Sequence, residues 1–237
     1  MSRLLREERN GRSYLLTRNL VKGNRVYNEE LVSRGGEEYR TWDPFRSKLA
    51  AAILKGLPED VIGEGDKVLY LGTSTGTTPS HVSDLVGESG LVVGVEFSPR
   101  VAREFVENVA RVRKNVIPFV ADAREPSKYG IAKFDVLYCD IAQADQTEIA
   151  VDNARKLLRP GGRLLIVVKA RSIDVVREPK EIFRQEERKL EDAGYEVDSL
   201  IELSPFDKDH ALLYSAGGVR GGRGRSAVAR PRSASSS

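Results

Sequence analysis

Val68-Leu-Tyr-Leu-Gly-Thr-Ser-Thr-Gly-Thr-Thr78 is the stretch that decides the fold of this chain. A short, β-prone apolar run stops at Gly72, a turn of small residues follows, and a helical pattern begins near Thr77. A second apolar run, Leu91–Val95, then delivers Glu96. Strand, turn, helix, strand and acid in this order build a nucleotide-type site. The N–H groups at the helix start face the ligand, and the acid chelates ribose hydroxyls. No Gly-Lys-Ser/Thr follows, so the loop is not a triphosphate-binding P-loop. Gly72 and Gly76 do not fit Gly-x-Gly-x-x-Gly either, which excludes a nicotinamide dehydrogenase. A smaller cofactor with a ribose and a charged amino-acid tail fits better, and S-adenosylmethionine is the expected one.

Outward from this stretch, strand and helix patterns alternate. Strands are expected near 67–71, 91–96, 116–120, 134–139 and 163–169, and helices near 77–86, 99–113, 145–158 and 179–193. Such alternation predicts a parallel sheet with helices on both faces. Tyr195–Leu203 and His210–Ser215 are β runs with no helix between them, a terminal antiparallel hairpin that makes the sheet mixed, as in class I methyltransferases of Rossmann-like α/β fold. Upstream, Ser13–Thr17 and Arg25–Tyr27 are β-prone, and Pro44 is expected to open a helix over 45–54. Three units follow: a small β-rich N-terminal domain ending in a helix (1–55), a methyltransferase domain (56–216) and a disordered Arg/Gly/Ser-rich tail (217–237).

The net charge of +3 is unevenly spread. Five arginines and no acid lie in residues 217–237, which leaves −2 on the rest. The charge of the body therefore does not by itself demand nucleic acid. A single cysteine, Cys139, excludes a disulfide framework within the chain and suits a reducing compartment. The first residues lack the apolar segment of a secretory signal, and the longest strongly apolar run, Leu164–Val168, is far short of a membrane span. A soluble, intracellular protein with no membrane partner is expected, and no metal ligands are assigned.

In an open parallel sheet, ligands bind beyond the carboxyl ends of the strands. The polar residues at those ends are Gly72, Thr73, Ser74, Gly76, Thr77 and Thr78, then Glu96 and Phe97, Asp122 and Ala123, Asp140 and Gln143, and Lys169. Each acid alone could equally cap the following helix; recurrence at consecutive strands is what points to a site. Glu96 suits the ribose diol, Phe97 the purine and Asp122 the adenine amine, while Thr77 and Thr78 suit a carboxylate at a helix start. Asp140 and Lys169 each end an apolar strand, so each charge must be paired or face a cleft. Beside a methyl donor such a pair would orient and activate an alcohol; a structural ion pair is the alternative. His210, after Asp207 and Asp209, reads by itself as an ordinary loop histidine, and His81 as structural.

Trp42-Asp-Pro-Phe-Arg-Ser-Lys-Leu-Ala-Ala-Ala52, Val68–Asp84, Val95-Glu-Phe-Ser98, Asp122-Ala-Arg124, Asp140-Ile-Ala-Gln-Ala-Asp-Gln-Thr147 and Asp209-His-Ala211 together resemble fibrillarin over about residues 14 to 215. The resemblance implies an S-adenosylmethionine-dependent RNA ribose 2′-O-methyltransferase, the catalytic subunit of a box C/D ribonucleoprotein. Its implied partners are a guide RNA, rRNA and tRNA substrates, a Nop-domain scaffold protein and a kink-turn-binding protein of ribosomal type. Cofactor contacts carry over to Thr77, Thr78, Glu96, Phe97, Asp122, Ala123, Asp140 and Gln143, beside the loop glycine Gly72. A catalytic set of Lys48, Asp140, Lys169 and His210 is implied, and it changes the reading of His210. The long Gly/Arg-rich N-terminal region of eukaryotic members is absent here, so an archaeal cytoplasm is expected. A methyltransferase of the same fold acting on a protein side chain or small molecule, and a non-catalytic RNA-binding scaffold, are the rival readings.

Overall fold

The computed structural model describes residues 2–9 and 11–217. Four antiparallel strands form the first unit: β1 (Leu4–Arg9), β2 (Arg12–Arg18), β3 (Leu31–Arg34) and β4 (Glu37–Trp42), in the order β1-β2-β4-β3. Arg25–Tyr27, expected to be extended, belongs to no strand; Val26 and Tyr27 instead give their N–H groups to the Glu29 carboxylate. The Gly35-Gly36 pair, both at positive φ, makes the turn between β3 and β4. Helix α1 (Lys48–Leu54) begins later than Pro44 predicts. Ser47 is its cap, accepting from Ala50 N–H, and residues 44–46 form a turn.

The second unit alternates as expected. It comprises β5 (Lys67–Leu71), α2 (Thr77–Val86), β6 (Leu91–Glu96), α3 (Pro99–Phe105), β7 (Val116–Val120), β8 (Phe134–Cys139), α4 (Gln146–Leu157), β9 (Leu158–Lys169), α5 (Ala170–Ile173), α6 (Pro179–Asp192), β10 (Ser199–Glu202) and β11 (His210–Ala216). The helix expected over 99–113 is α-helical only to Phe105 and then widens into a π turn over Val106–Ala110. The β run from Tyr195 shortens to Ser199–Glu202. The sheet order is β10-β11-β9-β8-β5-β6-β7. Strands β9, β8, β5, β6 and β7 are parallel, and β11 runs against both β9 and β10. The later strand of the hairpin thus lies inside the sheet and the earlier one at its edge. From residue 218 onward the expected tail lies outside the described residues.

Both sheet faces are buried, one under α1 and α2 with Val68, Tyr70, Tyr138 and Val167, the other under α4 and α6 with Leu69, Leu137, Ile166 and Leu213. Leu4, Leu15 and Trp42 of the small sheet join the first of these cores, so the two sheets share packing through α1.

A buried ionic cluster completes that join. Arg40 pairs with Glu29 (2.6 Å) and Asp84 (2.8 Å), and Arg113 pairs with the other oxygen of Asp84 (2.5 Å), every side chain being fully buried. Burial would raise the Glu29 pKa, but the Val26 N–H and Arg40 outweigh it and hold the carboxyl below its ordinary value. Thr17 donates to Asp84 (2.9 Å) and therefore accepts from His81 Nδ1 (2.7 Å), while Tyr27 O–H meets His81 Nε2 (2.7 Å). This network assigns His81 as the neutral imidazole protonated on Nδ1. Burial, then Arg40 and Arg113, push its pKa well down, and Trp42 stacks on the ring at 4.9 Å. His81 is structural, as the sequence alone implies.

Candidate active site

The carboxyl ends of β5, β6, β7, β8 and β9 surround one cleft of about 380 Å³. Gly72, Ser74, Glu96, Phe97, Asp122, Ala123, Asp140, Gln143 and Lys169 line it. Gly72 is required twice over: its φ is +84°, and an added Cβ would lie 2.7 Å from the Asp140 carbonyl oxygen. Gly76, at φ +104°, caps α2, and a Cβ there would strike Val109 in the π turn. The loop therefore folds tightly and leaves the start of α2 without a side-chain cap or an acid in its first turn. Those first N–H groups suit a carboxylate.

Glu96 is oriented by main chain, accepting from Ser74 N–H and Ser98 N–H at 3.0 Å each. Its neighbour Phe97 is 70% exposed although it borders the cleft, an apolar ring face available to a flat ligand. Asp122 and Gln143 both contact Arg124, which Asp145 also holds at 2.7 Å. Thr78 is buried and gives its hydroxyl to Ser47 Oγ at 3.0 Å, so its side chain fastens α2 to the cap of α1. Neither Thr77 nor Thr78 lines the cleft.

The ionisable set lies at the other end of the cleft. Lys169 Nζ sits 2.8 Å from Asp140 Oδ1 and donates to the Asp140 carbonyl at 2.7 Å. Lys48, the first residue of α1, reaches Asp140 at 3.5 Å and Asp207 at 3.9 Å. His210 Nδ1 lies 2.7 Å from Asp207 Oδ1 and 2.8 Å from the Lys208 carbonyl, and His210 stands opposite Lys169 in the β11–β9 register. A chain of ion pairs thus runs Lys169–Asp140–Lys48–Asp207 and ends on the Asp207–His210 contact. Burial would raise the Asp207 pKa, but the hydrogen bond from His210, then the charges of His210, Lys48 and Lys169, hold it below the usual carboxylate value.

Two members of this region carry no assignment in the sequence reading. Asp207 stands three residues before His210, on a loop whose course the sequence does not give. Buried Gln146, with its amide nitrogen donating to the Ile141 carbonyl and its oxygen accepting from Lys169 N–H (3.2 Å each), ties the loop after β8 to the end of β9. Beneath the site Cys139 is inert, its thiol pushed up to about 12 by burial.

Fold and rim together define an enzyme of the class I methyltransferase type, with a cleft at the strand ends and an ionisable cluster that meet at Asp140. The chain belongs to the fibrillarin family, whose sequence model matches residues 4–217. A fibrillarin-like rRNA/tRNA 2′-O-methyltransferase of Staphylothermus marinus is 51% identical over 211 residues, which are 88% of this chain and 90% of that protein. The crystal structure of Aeropyrum pernix fibrillarin with natively bound S-adenosyl-L-methionine superposes with a TM-score of 0.80 at 45% identity, covering 91% of this chain and all of that one. A fibrillarin/Nop5p complex gives 0.77 at 39% identity, covering 86% and 94%. Among the described residues no helix is long and apolar enough to cross a membrane.

Proposed function

We propose that this chain transfers the methyl group of S-adenosylmethionine to ribose 2′-hydroxyls of rRNA and tRNA, directed by a box C/D guide RNA. The observation that carries this reading is the Lys169–Asp140–Lys48–Asp207–His210 chain standing directly beside a cleft built for a nucleoside. The bound cofactor supplies an activated methyl group. Glu96 would hold its ribose diol, Phe97 and Asp122 its adenine, and the start of α2 its carboxylate, with Gly72, Ala123, Asp140 and Gln143 shaping the walls.

The protein supplies alignment and a nucleophilic oxygen. An ammonium has three N–H donors. Lys169 donates to the Asp140 carbonyl and is ion-paired with the Asp140 carboxylate, which leaves N–H capacity to orient the 2′-oxygen and stabilise the alkoxide that develops on it. With Nδ1–H held by Asp207 and the Lys208 carbonyl, His210 keeps its lone pair on Nε2 and receives the hydroxyl proton there. Lys48 balances Asp140 and Asp207 and so fixes the spacing of the two halves.

A Nop-domain scaffold protein and a kink-turn-binding protein would bring the guide duplex to this rim, since the overall charge of the body, −2, does not by itself recruit RNA. The site of action in this reading is the archaeal cytoplasm. The deciding experiment combines purified chain, scaffold, kink-turn protein and guide RNA with a complementary RNA and labelled S-adenosylmethionine. One guide-defined ribose should be methylated on its 2′-oxygen. Label on protein or on a base would favour the same-fold alternative, and efficient site-specific transfer by the isolated chain would contradict guide dependence.

A further inference from the structure

One arginine at the strand-end cleft has all its contacts with residues that line or border it. Arg124 follows β7 and lines the cleft beside Asp122 and Gln143. Its guanidinium holds the Asp145 carboxylate, in the loop after β8, through Nε at 3.2 Å and Nη2 at 2.7 Å. Nη2 also donates to Gln143 Oε1 at 3.3 Å, and Nη1 to Asp122 Oδ1 at 3.5 Å. The main-chain N–H of Arg124 donates to the same Asp122 oxygen at 2.9 Å. Strands β5 and β6 lie between β7 and β8, so this side chain ties together two loops that the sheet holds apart.

The clasp adds little support. The side chains of Arg124 and Asp145 are 43% and 48% exposed, and ion pairs at such exposure contribute little stability. The loop after β7 is anchored independently, because the Ala123 carbonyl accepts from Asn153 Nδ2 at 2.8 Å and from the Tyr129 hydroxyl at 2.9 Å. What the guanidinium decides is polarity. It carries donors only, so the amide atom of Gln143 that meets it must be the oxygen. The Gln143 nitrogen is thereby turned away, without a partner among the described residues. Asp122 takes both of its bonds on Oδ1, which leaves Oδ2 to accept from a ligand. The cleft wall thus carries one fixed acceptor and one fixed donor.

Adenine offers an amino donor beside a ring-nitrogen acceptor, the complement of that pair. Hypoxanthine, its deaminated counterpart, offers a carbonyl acceptor beside a ring N–H donor and reverses both. We infer that Arg124 is a positioning residue that makes the cleft selective for adenine over hypoxanthine, holding Gln143 with its nitrogen and Asp122 with a free oxygen toward the base. Without Arg124 the Gln143 amide can turn over and serve either base. The inference rests on the cofactor placement proposed above.

The test is calorimetric binding of S-adenosylhomocysteine and S-inosylhomocysteine, which differ only in the base, to the full chain. The wild type should prefer the adenosine ligand at least roughly thirtyfold, the scale of two hydrogen bonds lost. Arg124→Ala should cut that ratio at least roughly fivefold, the scale of one. Gln143→Glu keeps an oxygen for Arg124 and removes the amide donors, so it should cut the ratio as much with the clasp intact; it decides the question if Arg124→Ala does not fold. A brace without an orienting role would weaken both ligands by one factor. An unchanged ratio in either folded variant therefore overturns the inference and leaves the cofactor placement standing, and a smaller wild-type preference overturns it as well. Failure of the wild-type chain to bind S-adenosylhomocysteine removes the cofactor placement and this inference together.

Discussion

At the scale of single residues, the cleft separates two tasks that the carboxylates of one rim divide among themselves. Glu96 is held open by two main-chain amides, each with hydrogen-bonding capacity left on its carboxylate partner. Glu96→Ala should leave a folded protein that binds S-adenosylmethionine at least roughly tenfold more weakly, the scale set by charge-assisted hydrogen bonds; unchanged affinity in calorimetry would remove Glu96 from the site. Asp140, in contrast, is engaged by Lys169 and Lys48. Lys169→Ala should cut single-turnover methylation by roughly 10²–10⁴ with cofactor affinity kept, and near-normal turnover would refute its catalytic role. Asp207→Asn keeps the size of the residue and removes the charge that orients His210. It should slow the same step by less than Lys169→Ala, without altering cofactor affinity. A loss confined to thermal stability would reduce Asp207 to a loop brace.

At the scale of elements, α1 is a short helix with a demanding position, because its first residue reaches two acids from different loops. Ser47 caps it and also receives the Thr78 hydroxyl, so one oxygen sets α1 against α2. Ser47→Ala should cost about 1 kcal/mol of stability and lower methylation more than it lowers Tm would explain, since Lys48 loses its register; activity falling only in step with unfolding would sink that coupling. The same helix shows where sequence reading stops. The five parallel strands and their helices are legible because apolar runs of strand length alternate with 3.6-residue periodicity, and each strand end names its own rim residue. Pro44 signals a helix start in sequence, yet the helix begins only where Ser47 offers a side-chain oxygen. Arg25–Tyr27 has β propensity, yet its N–H groups bond a carboxylate that exists only in the fold. Asp207 was invisible as a site residue because contact with Lys48 depends on loop path, which no periodicity encodes.

At the scale of the whole molecule, the ionic cluster that joins the two sheets makes stability depend on pH in one direction. His81 is buried as a neutral ring with its pKa pushed well below 6.5. As pH falls through about 6.5 the unfolded chain gains a proton there and the folded chain does not, so stability is full above that pH and declines below it. Glu29, held below its ordinary value of 4.5, contributes stability that is present above 4.5 and is lost as pH falls through its folded value. Denaturant titrations between about pH 7.5 and 5.5 should therefore show loss approaching 1.4 kcal/mol per pH unit from His81 alone. His81→Gln should be less stable at neutral pH but flatter across that interval; an equally steep variant would assign the slope elsewhere.

The insertion of β11 between β9 and β10 has a consequence for how this enzyme comes into being. Ribosomes make the chain from its amino end, so β9 and β10 both exist before the strand that must slide between them. Until it does, Leu212 and Leu213 are missing from the two cores, and no histidine stands opposite Lys169. A nascent chain halted before residue 210 already contains Glu96, Asp122 and Asp140 but lacks His210, the proton acceptor of the proposed mechanism. Completion of the core and delivery of His210 to the rim are thus a single event in the life of the molecule.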